Sequence, residues 1–243
     1  MEPCEVIKYR GFNINIFPDN DPLSPRTEWD NLGTMICWHR NYNIGDKHKY
    51  TDQSEFIYNI LVNCKMITPI IDSDYMYNLN SQDFVNKYLD KVNKKCIMLP
   101  IYLYDHSGIT INTCGFSCPW DSGQIGWIYV TYEKIRKEYG WKVITKERKE
   151  KIKSYLISEV ESYDQFLTGA VYGYQIEPTD RNKNIECDDS CWGFFGYDHE
   201  KSGLLEYAKP EIDYAIKKYK EEVKENKKET ISMNKLIKTC WAY

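Results

Sequence analysis

The sequence predicts an α+β protein with a mostly antiparallel sheet and helices packed on it, in a single compact domain. Three observations support this class: strand-length apolar runs form hairpin-like clusters, helical patterns stand between the clusters, and strands and helices do not alternate one for one. The 243 residues can bury a full hydrophobic core, and no Pro/Gly/Ser-rich linker divides them. We therefore expect one domain over residues 1–225 and a polar tail over residues 226–243.

The first third of the chain combines short strands with two helices. Phe12, Ile14 and Ile16 alternate with polar residues, which predicts a half-buried strand. Residues 32–38 predict a second strand, and the polar stretch between the two predicts an irregular loop. Capping residues at 51–54 precede apolar residues at helical spacing, and residues 81–92 repeat that spacing, so two helices are expected here.

The middle of the chain predicts three strands and two helices. The strands are expected at residues 97–104, 109–113 and 125–131, and the helices at 132–139 and 147–166. Pro100 lies inside the first of these strands. Since proline cannot donate a hydrogen bond to a neighbouring strand, we expect an edge or bulged position there.

The last third predicts a strand pair and a long helix. Residues 171–176 and 191–195 are expected to be strands joined by a charged loop. Residues 203–223 show apolar positions at helical spacing. Their Lys- and Glu-rich continuation to residue 230 is expected to be solvated or frayed.

The charge balance excludes one class of function and the apolar pattern another. Thirty-two Lys and Arg face 36 Asp and Glu, a net charge of -4, so no global basic field exists for generic nucleic-acid binding. No apolar run approaches the roughly 20 residues that cross a bilayer, and the N-terminus lacks a signal-peptide pattern. We expect a cytoplasmic protein without membrane contact.

Cysteine and aromatic usage are both informative. Nine cysteines, an odd number spread along a long chain, indicate reduced thiols rather than a disulfide framework. The 21 Tyr and 7 Trp are many for this length. They either fill the core or supply contact surface for a partner.

The turn-rich stretch 104–124 holds most of the reactive side chains, with apolar runs on both sides. That pattern is typical of a sheet that displays a functional loop. Cys118 is the candidate nucleophile, with His106 or His39 as base and Asp105 or Asp121 to orient the imidazole. A proline follows Cys118, however, and removes the backbone N–H that would serve as an oxyanion donor, which argues against hydrolase chemistry.

Metal binding is an alternative use of the cysteines. Cys114 with Cys118 and Cys187 with Cys191 have a spacing that zinc sites permit, and Cys37 or His39 could add ligands. Tryptophans beside both pairs and missing glycine knuckles argue against zinc. We expect neither a metal nor a cofactor.

Carboxylates cluster at Glu159, Glu161 and Asp164 and at Asp188 and Asp189. Such groups either hold a cation or do acid-base work, or they form a solvated face. We expect the Asp164 carboxylate to cap backbone donors where a helix ends in a tight turn.

Three blocks carry a resemblance: residues 24–48 (SPRTEWDNLGTMICWHR onward), residues 99–130 (with YDHSGITIN and FSCPWDSGQ), and residues 159–173 with DSCWG at 189–193. Together they resemble an uncharacterised protein family encoded by bacteriophages and mobile elements. The resemblance implies a small intracellular accessory protein of a phage. It assigns no catalytic residue.

Two hypotheses follow. The first is a counter-defence inhibitor that binds a host defence protein or its complex, since Trp, Tyr and Arg dominate interface energetics. Its candidate binding residues are Arg26, Trp29, Asp30, Asn31, Trp38, His39, Trp120, Ser122, Gln124, Asp189 and Trp192. The second is an enzyme or small-ligand-binding protein with one Cys/His/Asp pocket. That pocket would gather Asp30, His39, Asp105, His106, Cys118, Asp121, Gln124 and Asp189.

Overall fold

The computed structural model describes residues 2–67 and 81–240, without the side chains of residues 81–82 and 233–240. The strands are β1 (Glu5–Tyr9), β2 (Phe12–Pro18), β3 (Thr34–Cys37), β4 (Cys96–Asp105), β5 (Ile109–Asn112), β6 (Ser122–Thr131), β7 (Val171–Pro178) and β8 (Ser190–Phe195). The helices are α1 (Pro25–Glu28), α2 (Gln53–Asn63), α3 (Ser81–Val92), α4 (Tyr132–Tyr139), α5 (Lys146–Leu167) and α6 (Leu204–Cys240), with a short 3₁₀ turn at Asp180–Asn182. The predicted α+β class with antiparallel pairing is confirmed.

The strands form two four-stranded sheets instead of the one sheet that the sequence suggested, and the chain divides into two compact units. The central unit is the continuous segment Leu23–Thr168, and the terminal unit combines Met1–Pro22 with Gly169–Tyr243. The expected division into one domain over 1–225 and a tail from 226 stays a prediction.

The terminal unit is built on the sheet β1-β2-β7-β8. The alternation in β2 is confirmed, because Phe12, Ile14 and Ile16 are fully buried in one apolar cluster that also contains Leu204 and Ile212 of α6. Strand β1 was not predicted. It pairs with β2 alone, and its residues are exposed or only partly buried. Its sequence therefore has no apolar run of the kind that predicts a strand.

The central unit is built on the sheet β3-β6-β4-β5, which is covered on both faces. Ile128 packs in one cluster with Leu156 of α5, while Trp127 packs in another with Phe56 of α2 and Phe84 of α3. Burial of both faces explains why β6 has an almost continuous apolar sequence. This sheet positions the candidate site.

Pro100 occupies the kind of position that its chemistry predicts. It pairs with Trp127 on β6, whereas β5 pairs only with the Tyr102–Asp105 part of β4. The β4–β6 register also shifts between Ile101 and Tyr102. The proline therefore stands beside a bulge and beyond the end of the β5 ladder, where its missing N–H costs no strand pairing.

Helix α6 begins buried and ends exposed. Leu204, Ala208 and Ile212 lie in the core, and residues 220–232 are mostly exposed. We expected the helix to end near residue 223, but the backbone stays helical to Cys240. Within residues 2–67 and 81–240, no helix combines the length and apolarity needed to cross a membrane.

Candidate functional site

A buried ion network fixes the segment 24–33 of the central unit. The Arg26 side chain is only 3% exposed. It donates from Nε and Nη2 to the Asp46 carboxylate at 2.8 and 2.6 Å, from Nη1 to Glu159 at 3.0 Å, and from Nη2 to the Gly33 carbonyl at 3.0 Å. Burial lowers the Arg26 pKa, but bonding to Asp46 and Glu159 outweighs it and raises that pKa. Arg26 therefore serves inside the unit, and the expectation of an exposed anchor is corrected.

The carboxylates of α5 satisfy backbone donors. Glu159 accepts hydrogen bonds from the N–H groups of Leu32 and Gly33. Asp164 accepts from the Ile111 N–H at 2.7 Å and from the Thr110 hydroxyl at 2.8 Å. Asp164 thus binds a backbone donor as expected, but the donor belongs to β5 and not to the end of its own helix. These contacts leave the two carboxylates structural.

Trp29 stands beside a cleft at the end of this fixed segment. Its side chain is 45% exposed, and the Asn31 amide holds the turn by donating to the Pro25 and Trp29 carbonyls at 2.7 and 2.9 Å. The cleft has a volume of about 320 Å³. Its lining includes Trp29, Asp30, Asn31, Tyr139, Tyr155, Ser158, Glu159 and Ser162.

The Trp120 loop, which we define as residues 113–121, leaves β5 and returns to β6. The Asn112 side chain accepts from the N–H groups of Cys114 and Gly115 at 3.0 and 2.7 Å and donates to the Gly115 carbonyl. Tyr104 packs on Phe116 with 5.6 Å between ring centroids. Loop and β4 are thus joined at several points, which makes the loop a defined platform.

Trp120 is the most exposed large apolar side chain of the described residues, at 91%. The chain around it is held by hydrogen bonds, since the Ser122 hydroxyl donates to the Cys118 carbonyl and the Asp105 N–H donates to the Asp121 carbonyl at 2.8 Å. At the same end of the sheet, the Gln124 amide donates to the Gly126 carbonyl at 3.3 Å. The backbone around Trp120 is therefore fixed, while the indole itself is exposed to solvent.

Three of the four candidate catalytic side chains meet beside this loop. Asp121 Oδ2 lies 3.4 Å from His106 Nδ1 and 3.7 Å from Cys118 Sγ. The carboxylate thus stands between thiol and imidazole, whereas an activated cysteine needs the imidazole next to its sulfur. Asp105 contributes a backbone contact, so the geometry gives little support to nucleophilic catalysis.

The loop 37–48 encloses a larger open cavity of about 790 Å³. His39 lines it, stacked on Tyr42 at 5.0 Å between ring centroids. Trp38 also lines it, but its indole donates to the Tyr50 carbonyl at 3.0 Å and its ring packs edge-on against Phe56. Trp38 is therefore largely a packing residue, while His39 faces partly outward.

Asp189 and Trp192 belong to the terminal unit. The Tyr174 hydroxyl donates to Asp189 Oδ2 at 3.0 Å, and burial together with this carboxylate raises the Tyr174 pKa. Trp192 is 44% exposed and covers Gly173, where a Cβ atom would lie 2.2 Å from the indole. The strand needs glycine there to let the ring lie on its backbone.

The predicted site residues therefore occupy several places. One group lies at the end of the central sheet where β6 starts: Asp105, His106, Cys118, Asp121, Ser122 and Gln124. Asn31 and Asp30 lie at the other end, near Thr131, since Lys134 of α4 donates to the Asn31 carbonyl at 3.1 Å. Ten residues of β6 separate the two ends by about 30 Å. The central unit does not unite its members of the eight-residue set in one pocket.

Sequence reasoning missed Asp46, Tyr139 and Tyr155 as parts of this architecture. Asp46 lies 20 positions from Arg26, and no local spacing links them. Tyr139 and Tyr155 stack on each other with ring centroids 6.4 Å apart and lie in two different helices. The abundance of tyrosine was the only available signal.

The eight cysteines whose side chains are described are free thiols. In the described part of the chain, no group of three or more His, Cys, Asp or Glu side chains is arranged to hold a metal ion. Cys114 and Cys118 lie in the central unit, and Cys187 and Cys191 lie in the terminal unit.

No protein-family model, no curated protein and no solved structure matches the chain.

Proposed function

We propose that the protein acts by binding a partner protein through the Trp120 loop, and that the partner is a component of a bacterial host's defence machinery. The exposure of Trp120, at 91%, is the observation that carries the proposal. An indole in water exposes about 200 Å² of mostly apolar surface, and its burial contributes about 5 kcal/mol before the cost of association is subtracted.

The loop is built to keep that cost low. Asn112 closes its first turn, and the Asp105 N–H ties its end to β4. A pre-ordered loop loses little conformational entropy on binding, so more of the burial energy appears as affinity. Tryptophan is one of the three residue types that are enriched among interface hot spots.

The proposal that the partner is a defence component rests on the resemblance to phage-encoded proteins. An accessory protein of this kind would work in the cytoplasm of the infected cell. The alternative, an enzyme or ligand-binding protein with a pocket at residues 104–124, has weaker support. Its His106, Cys118 and Asp121 meet, but with the carboxylate between the thiol and the imidazole.

Affinity capture with matched variants tests the proposal. The full chain, Trp120→Ala and Tyr214→Ala are immobilised and exposed to lysate from a bacterial host. Tyr214 is 65% exposed on α6 of the terminal unit, so its replacement removes another exposed ring outside the Trp120 loop. We expect wild type and Tyr214→Ala to retain the same host protein and Trp120→Ala to lose it. Equal capture by all three would remove the support for Trp120 as the anchor.

A further inference from the structure

A second surface of the central unit has the opposite electrostatic character from the chain as a whole. It comprises residues 132–153, which form α4, the connection after it and the first turns of α5; we call it the basic surface. It holds nine Lys and Arg and four Glu, a net charge of +5 in a chain whose total is -4, so the remaining residues carry -9. The expectation that the protein does not bind nucleic acid generically rested on the net charge of the whole chain. That total conceals the separation between this positive surface and the negative remainder.

Most of these charges face water without a partner of opposite sign. Among the described residues, Lys153 with Glu150 is the single ion pair that this surface makes. Six cations are exposed: Lys134, Arg136, Lys137, Lys142, Lys146 and Lys151. Like charges at this density repel one another, and a bound polyanion would relieve that repulsion.

Aromatic rings are interleaved with the cations. Trp141 stacks on Tyr139 at 4.6 Å between centroids, and Tyr139 stacks on Tyr155 with 13° between the ring planes. Arg148 lies 4.7 Å from the centre of the Trp141 ring, and Lys151 lies 5.6 Å from that of Tyr155. The cations of the basic surface therefore lie beside a row of stacked aromatic rings and are not isolated from other side chains.

The cleft beside Trp29 shares Tyr139 with this surface, and Tyr155, two residues beyond the surface on α5, also lines the cleft. The hydroxyls of Ser158 and Ser162 supply polar contacts in the same cleft. Glu159 in its wall is already paired with Arg26, and the exposed Asp30 adds a carboxylate acceptor, so the cleft suits an uncharged ring with hydrogen-bond donors on its edge. Its volume, about 320 Å³, accommodates such a ring.

We propose that the basic surface and the Trp29 cleft together bind single-stranded nucleic acid. Phosphates contact the exposed Lys and Arg, and a base enters the cleft between Trp29 and the two tyrosines. A duplex keeps its bases stacked inside and offers no ring to the cleft. An acidic protein or another polyanion would neutralise the cations without needing the cleft.

This activity is separate from the proposed protein contact, because the Trp120 loop lies at the other end of β6. Binding of a fluorescein-labelled oligothymidylate of about 20 nucleotides to the full chain, followed by fluorescence anisotropy, tests it. We expect saturable binding at about 50 mM NaCl that weakens by about tenfold or more at about 200 mM. Trp120→Ala should bind the oligonucleotide as wild type does.

Charge variants and a ring variant separate the two parts of the site. Lys142→Glu with Lys146→Glu should weaken binding about tenfold or more. Lys217→Glu with Lys220→Glu makes the same charge change on exposed positions of α6 and should leave binding unchanged. Tyr155→Ala should weaken binding at both salt concentrations with little change in salt dependence, with circular dichroism confirming its fold.

Three results would overturn the proposal. The first is absence of binding at low salt, and the second is an equal loss in both double charge variants. The third is binding of a duplex or of polyglutamate as tight as that of the single strand, with no effect of Tyr155→Ala. That last result would identify a general polyanion surface without a base site.

Discussion

Arg26 and Glu159 are joined across the central unit by a hydrogen-bonded ion pair of 3.0 Å, with side-chain exposures of 3% and 15%. The pair connects α1 to α5, and the same carboxylate accepts the N–H groups of Leu32 and Gly33. One charged contact thus fixes the segment that carries Trp29. It also closes one wall of the cleft proposed to receive a base.

Removal of this carboxylate should strongly destabilise the central unit. Glu159→Ala leaves part of the Arg26 charge and two backbone N–H groups without their acceptor, so we expect a loss of about 3–5 kcal/mol in the free energy of unfolding. Lys153→Ala, which breaks an exposed ion pair on the same helix, should cost less than about 0.5 kcal/mol. Urea unfolding measures both, and similar losses would show that the buried network has no special role.

Trp120→Ala should leave stability unchanged. The indole is 91% exposed, so its removal eliminates little packing within the protein. We expect a midpoint of thermal unfolding equal to that of wild type. A marked fall would mean that Trp120 packs in the folded protein and is not available to a partner.

The cysteines should differ widely in reactivity. Cys114 is exposed, whereas Cys37 and Cys96 are buried and burial raises the pKa of each thiol to about 12. We expect N-ethylmaleimide to label Cys114 in the native protein long before Cys37 or Cys96, as read by peptide mass spectrometry. In denaturant all three should react alike. Early labelling of Cys37 in the native state would contradict its placement in the core.

Stability should fall at alkaline pH because of the same burial. The Cys37 thiol has a folded pKa of about 12 against 9.0 for an unburied thiol. Below the lower value both states hold the proton, and stability is unaffected. Between the two values the unfolded chain loses a proton that the folded chain keeps, so stability decreases as pH rises, by up to about 1.4 kcal/mol per pH unit.

Comparison with Cys37→Ala isolates this contribution. Urea unfolding at about pH 8 and about pH 10.5 should show a larger loss for wild type than for the variant. Other buried acids, such as Tyr129 with its pKa raised to about 12 chiefly by burial, act in the same direction in both proteins. Equal losses would exclude Cys37 as a source of the pH dependence.

Local periodicity explains which elements could be predicted. Helices at residues 81–92 and 132–139 were predicted at the bounds that α3 and α4 have, because the apolar spacing that indicates each helix is contained within its own segment. Strand β2 was visible for the same reason. Its pairing with β7 joins Phe12 to Pro178, and nothing in either segment specifies that partner. The division into two sheets therefore could not be predicted.

The site was only partly predictable for a related reason. The stretch 104–124 was expected to be a polar segment displayed by strands, since its composition changes abruptly at both ends. In the structure it comprises the end of β4, strand β5, the Trp120 loop and the start of β6. Arg26 is buried because it pairs with Asp46 and Glu159, which are distant in sequence. The residues around Arg26 could therefore not distinguish an exposed interface arginine from a buried ion-paired one. The charge of the basic surface was present in the sequence, but a total over the whole chain averaged it away.

Photo-crosslinking from position 120 tests directly whether the Trp120 loop contacts a host protein. A p-benzoylphenylalanine placed there, and at position 214 as control, is irradiated in bacterial host cells that produce the protein. We expect a discrete crosslinked product with one host protein from position 120 and none from position 214. The absence of any product from position 120, or the same product from both positions, would contradict the claim that the Trp120 loop is the contact surface.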